Sequence, residues 1–282
     1  MSPVSDLSAL LALPPERRLA PLMERGEALQ KVDGQDPALA AALADLVDAG
    51  VGDTRERVRL GDVLGALGDP RLRRPADDDY WATVSLDGYT LQVGRFLVTN
   101  AEWRAFLDAG GYSDDAAWSD EGRAWRDSGA RRWPDYLDNP AFADLLGPNQ
   151  PAVGVTWYEA IAYATAHGAR LLERVERSQI VRGTGKRPYP WGEPFGMGNA
   201  NTREEVIGRT TAVGLYIHDA TPEGITDLAG NAAEWNLDEV GGNRVIHPGS
   251  WRQPSMASWA KALALRPPDS RADDLGFRLA RG

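Results

Sequence analysis

The 282-residue sequence carries 31 Lys and Arg against 41 Asp and Glu, a net charge of −10, with 43% hydrophobic and 26% charged residues, a globular composition that excludes a disordered chain. It has no cysteine and only three histidines, His167, His218 and His247; disulfides, thiolate nucleophiles and thiolate-bound zinc, copper or iron–sulfur centres are therefore excluded, and no HxxxH or HExxH pair exists. The acidic balance speaks against neutralising a phosphate backbone, so no nucleic-acid partner is expected. With no apolar run of ~20 residues and no basic-then-apolar leader, the expectation is a cytoplasmic protein with no membrane partner.

Residues 1–75 read as a helical region and 76–282 as a Trp- and Gly-rich mixed domain. Asp36 before Pro37 is an N-cap with proline in the first turn, and Leu39, Leu43, Leu46 and Val47 follow at helical spacing up to Gly50. Asp53 with Glu56 makes a capping box ahead of Val58, Leu60, Val63, Leu64 and Leu67, and Gly68-Asp69-Pro70 stops that helix. The stretch from Val58 to Leu72 is similar to the closing half of a HEAT-type repeat, either a cap on the main domain or a docking surface. Arg71, Arg73 and Arg74 with Asp77, Asp78 and Asp79 then predict an exposed linker.

From Tyr80 the pattern changes to short strands, Trp81 to Leu86 and Tyr89 to Val98, rich in β-branched and aromatic residues. The capping box Thr99 to Glu102 opens a helix that turns Trp103, Phe106 and Leu107 inward before Gly110-Gly111. A second box, Thr156 to Glu159, opens a helix through Ile161, Tyr163 and Ala164 that stops at Gly168. The segment from Arg187 to Ile225 has few periodic stretches, which in a compact domain marks a functional or ion-braced loop.

Seven motifs in order carry a resemblance: FLVTNAEWRAFLDAGGY (Phe96 to Tyr112), PAVGVTWYEAIAYA (Pro151 to Ala164), YPWG (Tyr189 to Gly192), GLY (Gly214 to Tyr216), DLAGNAAEW (Asp227 to Trp235), HPGSW (His247 to Trp251) and PPDSRADDLGFRLA (Pro267 to Ala280). Over residues 80 to 282 the chain resembles the formylglycine-generating enzyme, or sulfatase-modifying-factor, family. The resemblance implies an α+β fold, the C-type-lectin-like fold in its formylglycine-generating-enzyme variant, with little regular secondary structure. Trp191, Trp235 and Trp251 each sit beside Gly or Asn turns, where a large ring seals a loop onto the core.

The resemblance also defines departures. Family members that make formylglycine hold Cu(I) between two cysteines, and the matching places fall near Ser255 and Ala260, whose hydroxyl and methyl cannot bind this soft ion. The sulfoxide-synthase branch holds iron on an HxxxHxH motif in an N-terminal bundle, and residues 1–75 contain no histidine. No copper or iron is therefore expected. Where catalytic relatives read LPTEAEWE, this chain reads Leu171 to Ser178 with Arg177 at the Trp position, which predicts surface drift or an altered interface. Asp269, Asp273 and Asp274 lie among Arg266, Arg271 and Arg278, either a salt-bridged turn or paired acid/base carboxylates.

Structural calcium is implied at Asp227, Gly230, Ala232 and Glu234, some through backbone carbonyls, and at a second set, Asn201, Thr202, Glu205 and Ile207; oxygen ligands are what Ca²⁺ takes. The alternative is that Asp227 and Asn231 cap turns while Glu234 meets an arginine. The leading expectation for function is a non-catalytic recognition or adaptor protein with a protein or peptide partner, in a bacterial signalling or defence system. Its contact surface would be Arg252, Gln253, Ser255, Met256, Ser258, Trp259, Lys261, Arg266 and Asp269, the part that relatives in diversity-generating retroelements vary. Alternatives are a metal-dependent oxidase or hydroxylase using non-cysteine ligands, a diversified lectin-like ligand-binding protein, and a structural subunit.

Overall fold

Side-chain caps fix where the helices of this chain begin. In the computed structural model, which describes residues 7–129 and 139–282, four helices lead: α1 (Leu7–Leu11), α2 (Pro15–Gln30), α3 (Pro37–Asp48) and α4 (Thr54–Leu67). Asp36 accepts the Leu39 N–H, and Asp53 and Glu56 exchange the two bonds of their capping box, satisfying amides that a helix start leaves without partners. Leu22, Leu39, Leu43, Leu60 and Leu64 pack together, and Leu215 and Tyr216 from the later part of the chain complete their cluster. Gly61 permits this close approach: a Cβ there would meet the Ala212 Cβ at 2.8 Å. Asn149 ties the same junction, donating to the Gly61 carbonyl and to Asp69, both at 3.0 Å. The linker is less exposed than its charges predicted, because the buried Asp69 carboxylate draws in Arg71 at 2.6 Å; Arg74 and Asp77 to Asp79 are exposed.

Two four-stranded sheets follow. One has the order β1-β2-β8-β3, formed by β1 (Trp81–Leu86), β2 (Tyr89–Gly94), β3 (Arg170–Leu171) and β8 (Leu279–Arg281). The other has the order β6-β5-β4-β7, formed by β4 (Ala233–Val240), β5 (Asn243–His247), β6 (Ala264–Arg266) and β7 (Leu275–Gly276), with β4 and β7 parallel. β2 ends at Gly94 rather than Val98 because the Gly94 and Arg95 carbonyls turn to accept from Arg278. Among the helices, α5 (Asn100–Asp108) and α7 (Trp157–Ala166) begin at the Thr99 and Thr156 capping boxes; α6 (Asp120–Asp127) and α8 (Arg174–Arg182) are the others. The segment 187–225 holds a single 3-10 turn, Arg203–Glu205.

The main core gathers Trp103, Tyr163, Trp235 and Phe277 between these layers. Trp235 Nε1 donates to the Val155 carbonyl at 3.0 Å and Trp157 Nε1 to the Asn236 carbonyl at 2.9 Å, so the rings are buried without an orphaned donor. Of the other two singled-out tryptophans, Trp191 stacks on Tyr189 with ring centroids 5.1 Å apart, and Trp251 lies under Arg252. Among the described residues no helix is long and apolar enough to cross a membrane.

Candidate functional site

A buried ionic cluster fixes the geometry beneath the loops. Glu234 on β4 accepts from Arg177 Nε at 3.0 Å and Nη2 at 2.7 Å on one oxygen, and from Arg278 Nε at 3.2 Å on the other. Arg177 Nη2 also donates to the Leu228 carbonyl at 2.6 Å. Burial works to raise the Glu234 carboxyl, yet the charges of Arg177 and Arg278 hold it below the usual carboxylate range. The expectation of Arg177 as a surface change is thus corrected: it is 2% exposed, and a guanidinium at that depth is tolerable because a carboxylate meets it. His247 lies next to this cluster, where burial, and then the positive Arg177, push it down to about 3. It is neutral, with Nε2 donating to the Trp259 carbonyl at 2.9 Å. A chain of contacts therefore runs from the ionic cluster to an exposed tryptophan.

The two expected calcium sets adjoin each other, since the Asn231 N–H donates to the Asn201 carbonyl at 2.8 Å and Gly230 packs on the Asn201 backbone. Asp227 accepts from the Gly214 N–H at 2.7 Å, Thr226 at 3.1 Å and Asn231 at 3.2 Å. Ala232 and Thr202 are buried, with Thr202 donating to Glu204 at 2.8 Å. Glu205 accepts the Gly198 N–H at 2.5 Å, and Ile207 packs toward the N-terminal helices. At Glu234 the opposing positive charge is supplied by two guanidinium groups. The expected cluster of Asp269, Asp273 and Asp274 with arginines disperses: Arg252 pairs with Asp273, Arg271 with Glu159, Arg278 with Glu234, and Asp274 accepts from Ser250 at 2.6 Å.

The expected contact surface is only partly a surface. Met256, Trp259, Arg252, Lys261, Arg266 and Asp269 are exposed, Gln253 and Ser255 are half-buried, and Ser258 is completely buried beneath its own 3-10 turn. Trp259, which is 53% exposed, and Lys261 share a cavity of about 230 Å³ with Arg182, Lys186, Arg187 and Glu193. The same three cations line an adjoining cavity of about 390 Å³, floored by Val84, Leu86 and Ile180 and with Asp87 and Glu223 in its wall. Among the described residues, no ion pair engages Arg182, Lys186, Arg187 or Lys261. Gly183, at a φ of +50°, turns the chain out of α8 and leaves room for Arg187 to fold back; a Cβ there would meet Arg187 Nη2 at 2.9 Å. Sequence reasoning missed these cations, although three in six residues around two glycines were there to be read. Together they form a basic cleft with an aromatic lip on a chain of net charge −10.

A copper or iron centre does not fit the residues around this cleft. Ser255 and Ala260 offer no soft ligand, the His247 imidazole is spent on internal bonds, and His167 Nδ1 lies 2.8 Å from the Tyr163 carbonyl. Among the described residues no group of three or more His, Cys, Asp or Glu is placed to hold a metal ion.

The two sheets, the sparse helices and the long irregular segments define an α+β protein of the C-type-lectin-like, formylglycine-generating-enzyme type, as the motifs implied. A family model for the sulfatase-modifying factor enzyme 1-like domain matches residues 63–282, and the chain belongs to that family. It is 30% identical over 215 residues to hercynine oxygenase of Mycolicibacterium thermoresistibile, covering 62% of this chain and 48% of that protein. The chain spans about half the length of the hercynine oxygenases it matches. It is 28% identical to the formylglycine-generating enzyme of Streptomyces coelicolor, over 86% of this chain and 95% of that one. PvdO from Pseudomonas aeruginosa has the same fold, with a TM-score of 0.52, 24% identity, and coverage of 68% of this chain and 80% of that chain.

These relatives correct the expectation of a non-catalytic recognition or adaptor protein, because the proteins similar to this domain are named as oxygenases and as a formylglycine-generating enzyme. That expectation rested on two absences, the copper cysteines and the HxxxHxH motif, and one scaffold can carry more than one chemistry.

Proposed function

We propose that this chain serves a metal-dependent oxidase or hydroxylase reaction as the domain that holds the substrate, with the redox metal held by ligands from outside its described residues. The observation that carries this is the basic cleft: Arg182, Lys186, Arg187 and Lys261 converge without ion-pair partners beside the exposed Trp259, in the domain that the chain shares with proteins named hercynine oxygenase. Four unpaired cations around one opening select an anion, and a guanidinium binds carboxylate in a bidentate fashion. Trp259 offers a flat apolar face to the rest of the molecule. The substrate class is therefore a carboxylate carrying an unsaturated or aromatic group. The chain's own part is binding and orientation: His247 is paired with Glu234 in the β4–β5 register, and its imidazole holds the Trp259 carbonyl and with it the lip of the cleft.

Two measurements test this. Hercynine, as a carboxylate probe, should bind with a dissociation constant at least tenfold weaker after Arg187→Ala with Lys261→Ala, read by titration calorimetry. The chain isolated in its native assembly should carry copper or iron in stoichiometric amount and consume O₂ with such a carboxylate. An assembly free of both metals overturns the oxidative reading, and equal binding by the double variant overturns the cleft.

A further inference from the structure

At the margin of the main core, a separate cavity of about 610 Å³ opens where residues 72–76 cross α5 and α7. Its walls are largely apolar, supplied by Leu72, Pro75, Ala101, Ala105, Phe106 and Ala166. Two carboxylates line it: Asp114 on the exposed rim and Glu102 deeper, between α5 and Tyr163. One Glu102 oxygen accepts from the Thr99 N–H at 2.9 Å and the Thr99 hydroxyl at 2.8 Å; the other accepts from the Tyr163 hydroxyl at 3.4 Å. The Tyr80 phenol also approaches this carboxylate, and the second oxygen keeps acceptor capacity beyond its long bond from Tyr163.

The other charged or titratable groups do not compensate it. Arg73 is turned away to Asp79 at 2.5 Å, Arg74 is on the exposed rim, and Asp114 accepts the N–H of Ala116. His167 stacks on Tyr163 with centroids 4.3 Å apart. In the small adjoining cavity that Glu102 shares with Tyr80, Arg71 is held by Asp69 at 2.6 Å, and Arg95 donates to the Asp79 and Glu223 carbonyls. A carboxylate in an apolar chamber with no cation of its own is completed by a cation from solution.

We propose that this cavity is a binding site for a small organic amine, whose ammonium group pairs with Glu102 while its hydrocarbon part lies against Phe106 and the alanine face of α5. The volume suits a ligand of about ten to twenty non-hydrogen atoms, within the usual range for small-molecule pockets of roughly 300–1,000 Å³. The rings of Tyr163 and Phe106 add a favourable surface for the cation. Burial pushes the Glu102 carboxyl up to about 7, against the opposing pull of its bonds from Thr99, Tyr80 and Tyr163. The amine stays protonated throughout the neutral range, so affinity should rise as pH increases through about 7 and the carboxylate ionises.

The probe is 2-phenylethylamine, compared with the isosteric neutral 2-phenylethanol by calorimetry on the full chain at pH 6, 7 and 8. The amine should bind about tenfold more tightly at pH 8 than at pH 6, and the alcohol should show no such dependence. Glu102→Gln keeps the capping box, since glutamine serves at that position, and should weaken the amine at least tenfold at pH 8 while leaving the alcohol unchanged. Ala105→Phe, on the exposed side of α5, should fill the cavity and abolish binding of both probes. Equal affinity for amine and alcohol, undiminished binding by Glu102→Gln, or no saturable binding of the amine overturns the proposal.

Discussion

Replacing Arg177 with methionine removes one of the two cations that neutralise Glu234 in a site closed to water. Breaking a buried pair from one side leaves an uncompensated charge, so a loss of about 3–5 kcal/mol is expected in urea unfolding; a loss below about 1 kcal/mol would show that Arg278 alone suffices. His247 gives a pH signature with a definite sign. Its folded value of about 3 lies below its unfolded value of about 6.5, so the unfolded chain binds the extra proton between the two. The contribution is complete above about 6.5 and is lost as pH falls toward 3. Asp219 works in the other direction: burial, then the neighbouring Asp227, raise it to about 8, and its contribution is lost as pH rises toward that value. His247→Gln keeps a donor for the Trp259 carbonyl and should flatten the stability profile between pH 6.5 and 4; an unchanged slope would assign the acid sensitivity elsewhere.

Elements separate what the sequence discloses from what it conceals. The helices starting after Asp36, Asp53, Thr99 and Thr156 were legible because a cap and its partner amide lie within three residues of each other, and the β1 boundaries followed from local composition. The ionic cluster was hidden because Glu234 lies 57 residues from Arg177 and 44 from Arg278, and the same Arg177 looked like a surface residue while its partner was unseen. The basic cleft was half visible: Trp259 and Lys261 were marked, but the cations after α8 join them only in three dimensions. The joint of α4 with the main domain is similarly non-local. Gly61→Leu should force α4 away from Ala212 and cost about 1–3 kcal/mol by overpacking, measured as a lower thermal midpoint; an unchanged midpoint would mean that this joint does not stabilise the protein.

At the scale of the whole molecule, a locally positive cleft on a chain of net charge −10 makes binding sensitive to salt. Carboxylate affinity should fall several-fold between about 0.05 M and 0.5 M ionic strength as the Debye length shortens to about 4 Å, whereas binding of a neutral probe should not. An affinity independent of salt would remove Arg182, Lys186, Arg187 and Lys261 from recognition. The placing of β7 and β8 has a consequence for how the protein is made. β7 pairs with β4 in one sheet and β8 with β2 and β3 in the other, and between them Phe277 enters the core and Arg278 reaches Glu234, Gly94 and Thr226. A growing polypeptide therefore completes neither sheet until residues 275–281 have left the ribosome. Until then Glu234 and Arg177 lack their third member, and β2 and β4 each have an edge awaiting a partner. Until residues 275–281 emerge, both sheets keep an unpaired edge, which is the surface a chaperone would have to cover.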